Sequence, residues 1–262
     1  MESITSTSQL GGRHLDTEPK YSKYREIRIS TLDELLSHVE CYSDLEFFRG
    51  QSKSEWDLRP KLSRLYDDLP VPDSWDRIEW NILQDFKRYA TPHYRREPRG
   101  DFQWMVLGQH YGLPTRLLDW TSNPLKAAFF AVNESIGEED GALYALEPTT
   151  IDTDADDYES LDKFDVLTPI LPKMIDERVV AQEACFTAFP LPPERQQFKP
   201  LEDGIAFYGD YWLLLKIIIP GDRKLEILKG LNRLGASSRV LFPDLSGLCE
   251  FLKWHHRYAE FG

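Results

Sequence analysis

Apolar positions along this chain recur with two different periods, and the switches between them mark out its elements. Residues 26–30 alternate and read as a strand. Thr31 and Glu34 have the spacing of a capping box, opening a helix to about residue 40. Residues 45–49 form a short apolar strand that Gly50 should stop. Residues 74–89 are an amphipathic helix, with Trp75, Ile78, Ile82, Phe86 and Tyr89 at three- and four-residue steps. A second helix covers residues 102–111 and ends at Gly112 and Pro114. Residues 115–120 then read as a strand. Ser122 or Asn123 caps the next helix, with Pro124 at its first position. That helix carries Leu125, Ala128, Phe129 and Val132 on one stripe, and Ala127, Phe130 and Ala131 are apolar too. A helix that is hydrophobic nearly all round belongs at the centre of a fold.

Further along, residues 141–146 read as a strand, and residues 178–189 as a strand pair or one long strand. Residues 191–204 form a Pro-rich connection, and residues 212–219 a buried strand closed by Pro220. Residues 225–234 and 245–258 read as helices. Strands and helices mix without regular alternation, so the expected class is α+β rather than a doubly wound sheet. Residues 1–22 are polar, rich in Ser, Thr and Gly, and are expected to be mobile. Residues 23–262 then make a single domain, with an acidic insertion at 149–165.

Composition narrows the functional classes. Of the 262 residues 41% are hydrophobic and 13% aromatic, enough for a sizeable core. The net charge of −13 argues against non-specific nucleic-acid binding, and an acidic surface suits a basic protein partner. Cys41, Cys185 and Cys249 are far apart and outside any CxxC pair, which points to a reducing, cytoplasmic setting with no zinc site. No run approaches the roughly 18 apolar residues of a membrane span, and the first 20 residues lack the apolar core of a signal peptide. The acidic run starting at Asp152 lacks the glycine of a calcium loop and has Lys163 at the twelfth place, so it reads as a solvated insertion and no metal is expected. GxSxG, Walker, HExxH and GxGxxG motifs are all missing.

The candidate chemistry gathers in residues 109–132, QHYGLPTRLLDWTSNPLKAAFFAV, and in Phe48-Arg49-Gly50-Gln51 upstream. Polar side chains set against an apolar helix by a Gly- and Pro-marked turn commonly form a pocket. Arg49, at a strand end, can hold a phosphate through a charge-assisted contact or merely pair with a carboxylate. Thr121 and Ser122 stand where a strand meets a helix, placed to meet a ligand or to cap. His110 can carry a proton or serve structure. Gln182 and Glu183 interrupt an apolar run, and a polar group entering a buried setting there must be hydrogen-bonded or held ready for a ligand. Read as a strand, the run puts Gln182 on one face with Arg178 and Ala184, and Glu183 on the other.

With these pieces in view the chain resembles the FRG-domain family. The matching stretches are Phe48-Arg49-Gly50-Gln51, Trp56-x-Leu58-x-Pro60, residues 109–131, and the later segment 217–248 with its LFPDL signature, so that the likeness runs from about residue 48 to 252. A weaker resemblance is to ADP-ribosyltransferases, through FFRG, LLDWTSNPLKAAFFA, GALYALEP and VVAQEACF in that order. It implies a mixed, mostly antiparallel, split sheet with flanking helices, and an NAD-binding cleft in a toxin-like or phage-defence effector. Carried over, Arg49 holds the NAD pyrophosphate; Gln51 and Arg116 are further cofactor-binding candidates. Thr121 or Ser122 supports the nicotinamide ribose, and Gln182 or Glu183, with His110, serves catalysis. Arg49, His110, Arg116, Thr121 and Gln182 or Glu183 are therefore expected to converge. A protein partner such as an antitoxin would fit such an effector. The alternatives are a non-catalytic module recognising a nucleotide or protein, and an acidic structural partner of a larger complex.

Overall fold

Phe47 and Phe48, adjacent in the chain, pack into cores on opposite faces of one sheet. The computed structural model describes residues 23–41, 45–93, 98–148, 150–155, 158, 160–173, 177–203 and 213–258. Its strands are β1 (Lys23–Arg28), β2 (Phe47–Gln51), β3 (Leu117–Thr121), β4 (Gly141–Glu147), β5 (Thr168–Ile170), β6 (Ala184–Ala188) and β7 (Leu213–Ile219). They form a seven-stranded sheet in the order β1-β7-β4-β2-β3-β6-β5. Only β1 runs parallel to its neighbour, β7, and the other pairings are antiparallel. The class is therefore α+β with a mixed, mostly antiparallel sheet.

The helices are α1 (Leu32–Cys41), α2 (Lys61–Arg64), α3 (Trp75–Ala90), α4 (Asp101–His110), α5 (Pro124–Val132), α6 (Glu177–Ala181), α7 (Lys224–Arg233), α8 (Ser238–Leu241) and α9 (Leu245–Tyr258). Several start where local chemistry directs. Thr31 Oγ1 accepts from Glu34 N at 3.2 Å, while the Glu34 carboxylate reaches back to Ser30 N at 2.6 Å. Ser74 caps α3 through Arg77 N at 3.2 Å. Of the two expected caps for α5 it is Asn123 that serves, accepting from Leu125 N at 3.0 Å, with Pro124 following as the first helical residue.

One core joins α5 to α7, α1 and the inner positions of β4 and β7, through residues such as Phe129, Ile227, Leu35, Leu143 and Ile217. The other face buries Trp75, Trp120 and Tyr144 with Phe47. A third cluster packs α4 against Leu117, Phe164, Ile170 and Phe186. Gly50 does not stop β2, which continues to Gln51. Its role is close approach: a Cβ there would run into the Ala127 carbonyl and the Ala131 amide of α5. Lys224, fully buried, fastens the same corner by donating to the carbonyls of Ser52 at 2.6 Å and Glu134 at 3.1 Å.

The segment expected as a strand over 178–189 is different in kind. Glu177–Ala181 is a helix, Gln182 and Glu183 form a turn, and only Ala184–Ala188 is a strand. Glu183 sits at φ +48°, a left-handed conformation that lets the chain reverse from α6 into β6. The proposed strand face shared by residues 178, 182 and 184 therefore does not exist. Within the expected acidic insertion, Ala155 and Phe164 are buried against the third cluster, while Asp154, Asp162 and Asp165 are exposed. Residues 1–22, Thr149, Gly204 and Trp212 lie outside the described residues.

Candidate functional site

β2 and β3 share a single register pair, Phe48 with Thr121, and a cavity of about 410 Å³ lies against both strands. β2 contributes Phe48, Arg49 and Gly50, and β3 contributes Asp119, Trp120 and Thr121. Val106, Gln109 and His110 come from α4, Phe130 from α5, and Ala184 and Phe186 from β6. Lys61, Val179, Gln182 and Phe242 complete the lining. The volume is that of a small-molecule site, and a largely apolar and aromatic wall carrying a few convergent polar groups is its usual makeup.

Arg49 supplies the cavity's most constrained charge. Its Nη1 donates to the Asp119 carbonyl at 2.6 Å and stands 3.9 Å from the Asp119 carboxylate. Burial lowers the proton affinity of the guanidinium, with Asp119 opposing that effect and Arg64 adding to it. The group nonetheless stays charged, as arginine does in proteins. Its Nε is buried without a hydrogen-bond partner. Asp119 is held from behind by Gln109, whose Nε2 lies 3.1 Å from both carboxylate oxygens. Gln109 is itself fixed, with Oε1 accepting from Thr115 Oγ1 at 2.7 Å.

Arg49, His110, Thr121 and Gln182 thus line one cavity. Thr121 and Gln182 are joined, because Thr121 Oγ1 donates to the Gln182 carbonyl at 2.6 Å and accepts from Asn123 N at 3.1 Å. The Gln182 side-chain amide donates to the Leu241 carbonyl at 3.3 Å. His110, half-buried, meets the Tyr111 ring edge-on at 4.8 Å between centroids.

The other expected residues stand elsewhere. Arg116 does not converge on the cavity. Its guanidinium is buried in a bidentate pair with Glu79, with Nε 2.8 and 2.9 Å from the two carboxylate oxygens and Nη2 also in contact. The Glu79 side chain comes from α3, 37 positions away in sequence. Glu183 is also off the lining. Its carboxylate accepts from Lys126 Nζ at 2.7 Å, a bond that holds it below the usual carboxylate range against the opposing effect of partial burial. Ser122, exposed, donates to that same carboxylate at 3.4 Å and its amide bonds the Glu183 carbonyl. Gln51 is 4% exposed, away from the lining, and neither end of its amide has a partner.

Asp119, Gln109 and Lys61 also line the cavity; the first two lie in the polar stretch 109–132 without an assigned role, and Lys61 lies outside the sequence candidates. A carboxylate in the middle of the apolar run LLDWT was the available signal for Asp119. Nothing local marks Lys61, which the fold brings to the cavity from α2. Among the described residues no group of three metal-ligating side chains gathers anywhere. No helix among them is long and apolar enough to cross a membrane.

An α+β protein with a polar-and-aromatic cavity beside a barely joined strand pair is the class that fold and site define. Residues 45–140, which contain β2, α2 to α5 and β3, match the model of the FRG domain. No curated protein and no solved structure matches the chain.

Proposed function

We propose that this FRG domain binds NAD in the cavity and cleaves its nicotinamide–ribose bond, acting as a toxin-like or phage-defence effector. The observation that carries this reading is that Arg49 and Gln182 line the same 410 Å³ cavity with Thr121 bonded to the Gln182 backbone. Arg49 provides a largely buried cation for the diphosphate, with which it can make a charge-assisted contact. Phe48, Phe130, Phe186 and Phe242 offer apolar surface for the planar bases. Gln182 would place its amide oxygen against the cationic ribose as the C–N bond breaks and its electron pair leaves with nicotinamide. Water, or a nucleophile on a protein or nucleic acid, then bonds to the ribosyl carbon and gives up its proton, for which His110, on the lining, is the candidate base. Incubation with labelled NAD, followed by assay of protein, nucleic acid and free nicotinamide, tests the reaction and names the acceptor. Absence of label transfer and of nicotinamide release sinks the enzymatic reading.

A second reading, a recognition module that binds a nucleotide without cleaving it, has its own support. Glu183, the carboxylate that the sequence offers for stabilising a developing cation, is engaged by Lys126 and lies off the lining. Binding without turnover in the same incubation selects this reading. Under either reading a basic partner, such as an antitoxin, would suit a chain of net charge −13.

A further inference from the structure

We propose that Asp119 is the ribose-reading group of the cavity: its carboxylate accepts hydrogen bonds from the vicinal hydroxyls of a ribonucleotide whose diphosphate lies on Arg49 and Lys61. The inference rests on the reading of the cavity as a nucleotide site and names what makes it selective.

Three relationships carry it. First, Asp119 is the half-buried member of an otherwise buried strand. The residue is half-buried with a 49% exposed side chain, whereas the other four residues of β3 are buried, and Asp119 lines the cavity. Second, the carboxylate is oriented and not used up. Gln109 approaches both oxygens from a buried position, and its own amide is fixed by Thr115 Oγ1 and by the Leu117 carbonyl at 3.3 Å. A carboxylate has about four acceptor sites, and one amide group cannot saturate them. Third, Arg49 spends its short bond on the Asp119 backbone carbonyl at 2.6 Å and lies 3.9 Å from the carboxylate, beyond hydrogen-bond reach. Cation and anion therefore stand side by side, each with bonding capacity left. Lys61, exposed on α2, adds a second positive group to the lining. A bare phosphate would gain Arg49 and meet repulsion from Asp119. A bare sugar would leave the cations unused. A ligand carrying a diphosphate and a vicinal diol satisfies both.

The test is calorimetric titration of the wild type and Asp119→Asn with ADP, 2′,3′-dideoxy-ADP and NAD. The wild type should bind ADP on the order of tenfold more tightly than the dideoxy compound, as for a hydrogen bond to a charged group. In Asp119→Asn that ratio should fall towards one, whatever happens to absolute affinity. Equal binding of the two ADP compounds by the wild type overturns the proposal without recourse to any variant. So does a tenfold ratio that survives in a folded Asp119→Asn. A diol preference for ADP with no binding of NAD overturns the NAD reading alone. No binding of any of the three overturns both.

Discussion

Lys126 Nζ lies 2.7 Å from Glu183 Oε1 and 2.6 Å from the Ala181 carbonyl, tying α5 to the turn between α6 and β6. With its carboxylate on Lys126, Glu183 stays off the cavity lining while its neighbour Gln182 is on it. Because the bond from Lys126 depresses the Glu183 pKa, the folded protein binds its proton less readily than the unfolded chain does. The stabilisation is therefore present above the ordinary glutamate range and lost as pH falls through the depressed value. Glu183→Gln should flatten the acid side of the stability–pH curve and leave neutral-pH ligand affinity within about threefold of wild type. Its 44% exposed side chain means solvent screens the effect, so the gain or loss should stay within about 1 kcal/mol. Thermal melts across the acid range measure this. An unchanged acid limb would show that the pair is idle.

Arg116 offers a sharper stability test. Both side chains of its pair with Glu79 are nearly sealed, at 5% and 7% exposure. Arg116→Ala strands a buried carboxylate and should cost about 3–5 kcal/mol. Protein that remains folded should keep its ligand affinity, since the residue does not line the cavity. Chemical denaturation reads the first effect and titration the second. A stable variant that no longer binds would return Arg116 to the site.

Phe129, 3% exposed on α5, joins the helix to the core shared with α1 and α7. Truncation to alanine should cost about 3–5 kcal/mol through the cavity it leaves. A melting temperature equal to that of the wild type would contradict the central place of α5.

Much of this frame was legible in the sequence because its signals are local. The three- and four-residue steps from Trp75 to Tyr89 mark α3, and Ser74 and Asn123 sit where caps belong. The errors arise where distant contacts override local pattern. Val179 and Val180 favour a strand by propensity, yet they sit in α6 with Val179 buried and Val180 exposed. The turn after them puts a glutamate at positive φ, which no residue type there announces. Arg116 is chemically indistinguishable from a ligand-binding arginine until Glu79 is seen beside it. Gly50 reads locally as a strand stop, and only the helix that presses on it shows why a glycine stands inside β2.

The claim that a phosphate-bearing dinucleotide occupies the cavity is tested most directly by titrating NAD into the wild type and Arg49→Ala. The wild type should bind with one site per chain, and Arg49→Ala should weaken binding by at least about thirtyfold, the loss of a charge-assisted contact of about 2 kcal/mol. A wild type that fails to bind NAD at millimolar concentration, or a folded Arg49→Ala that binds it undiminished, would contradict the account.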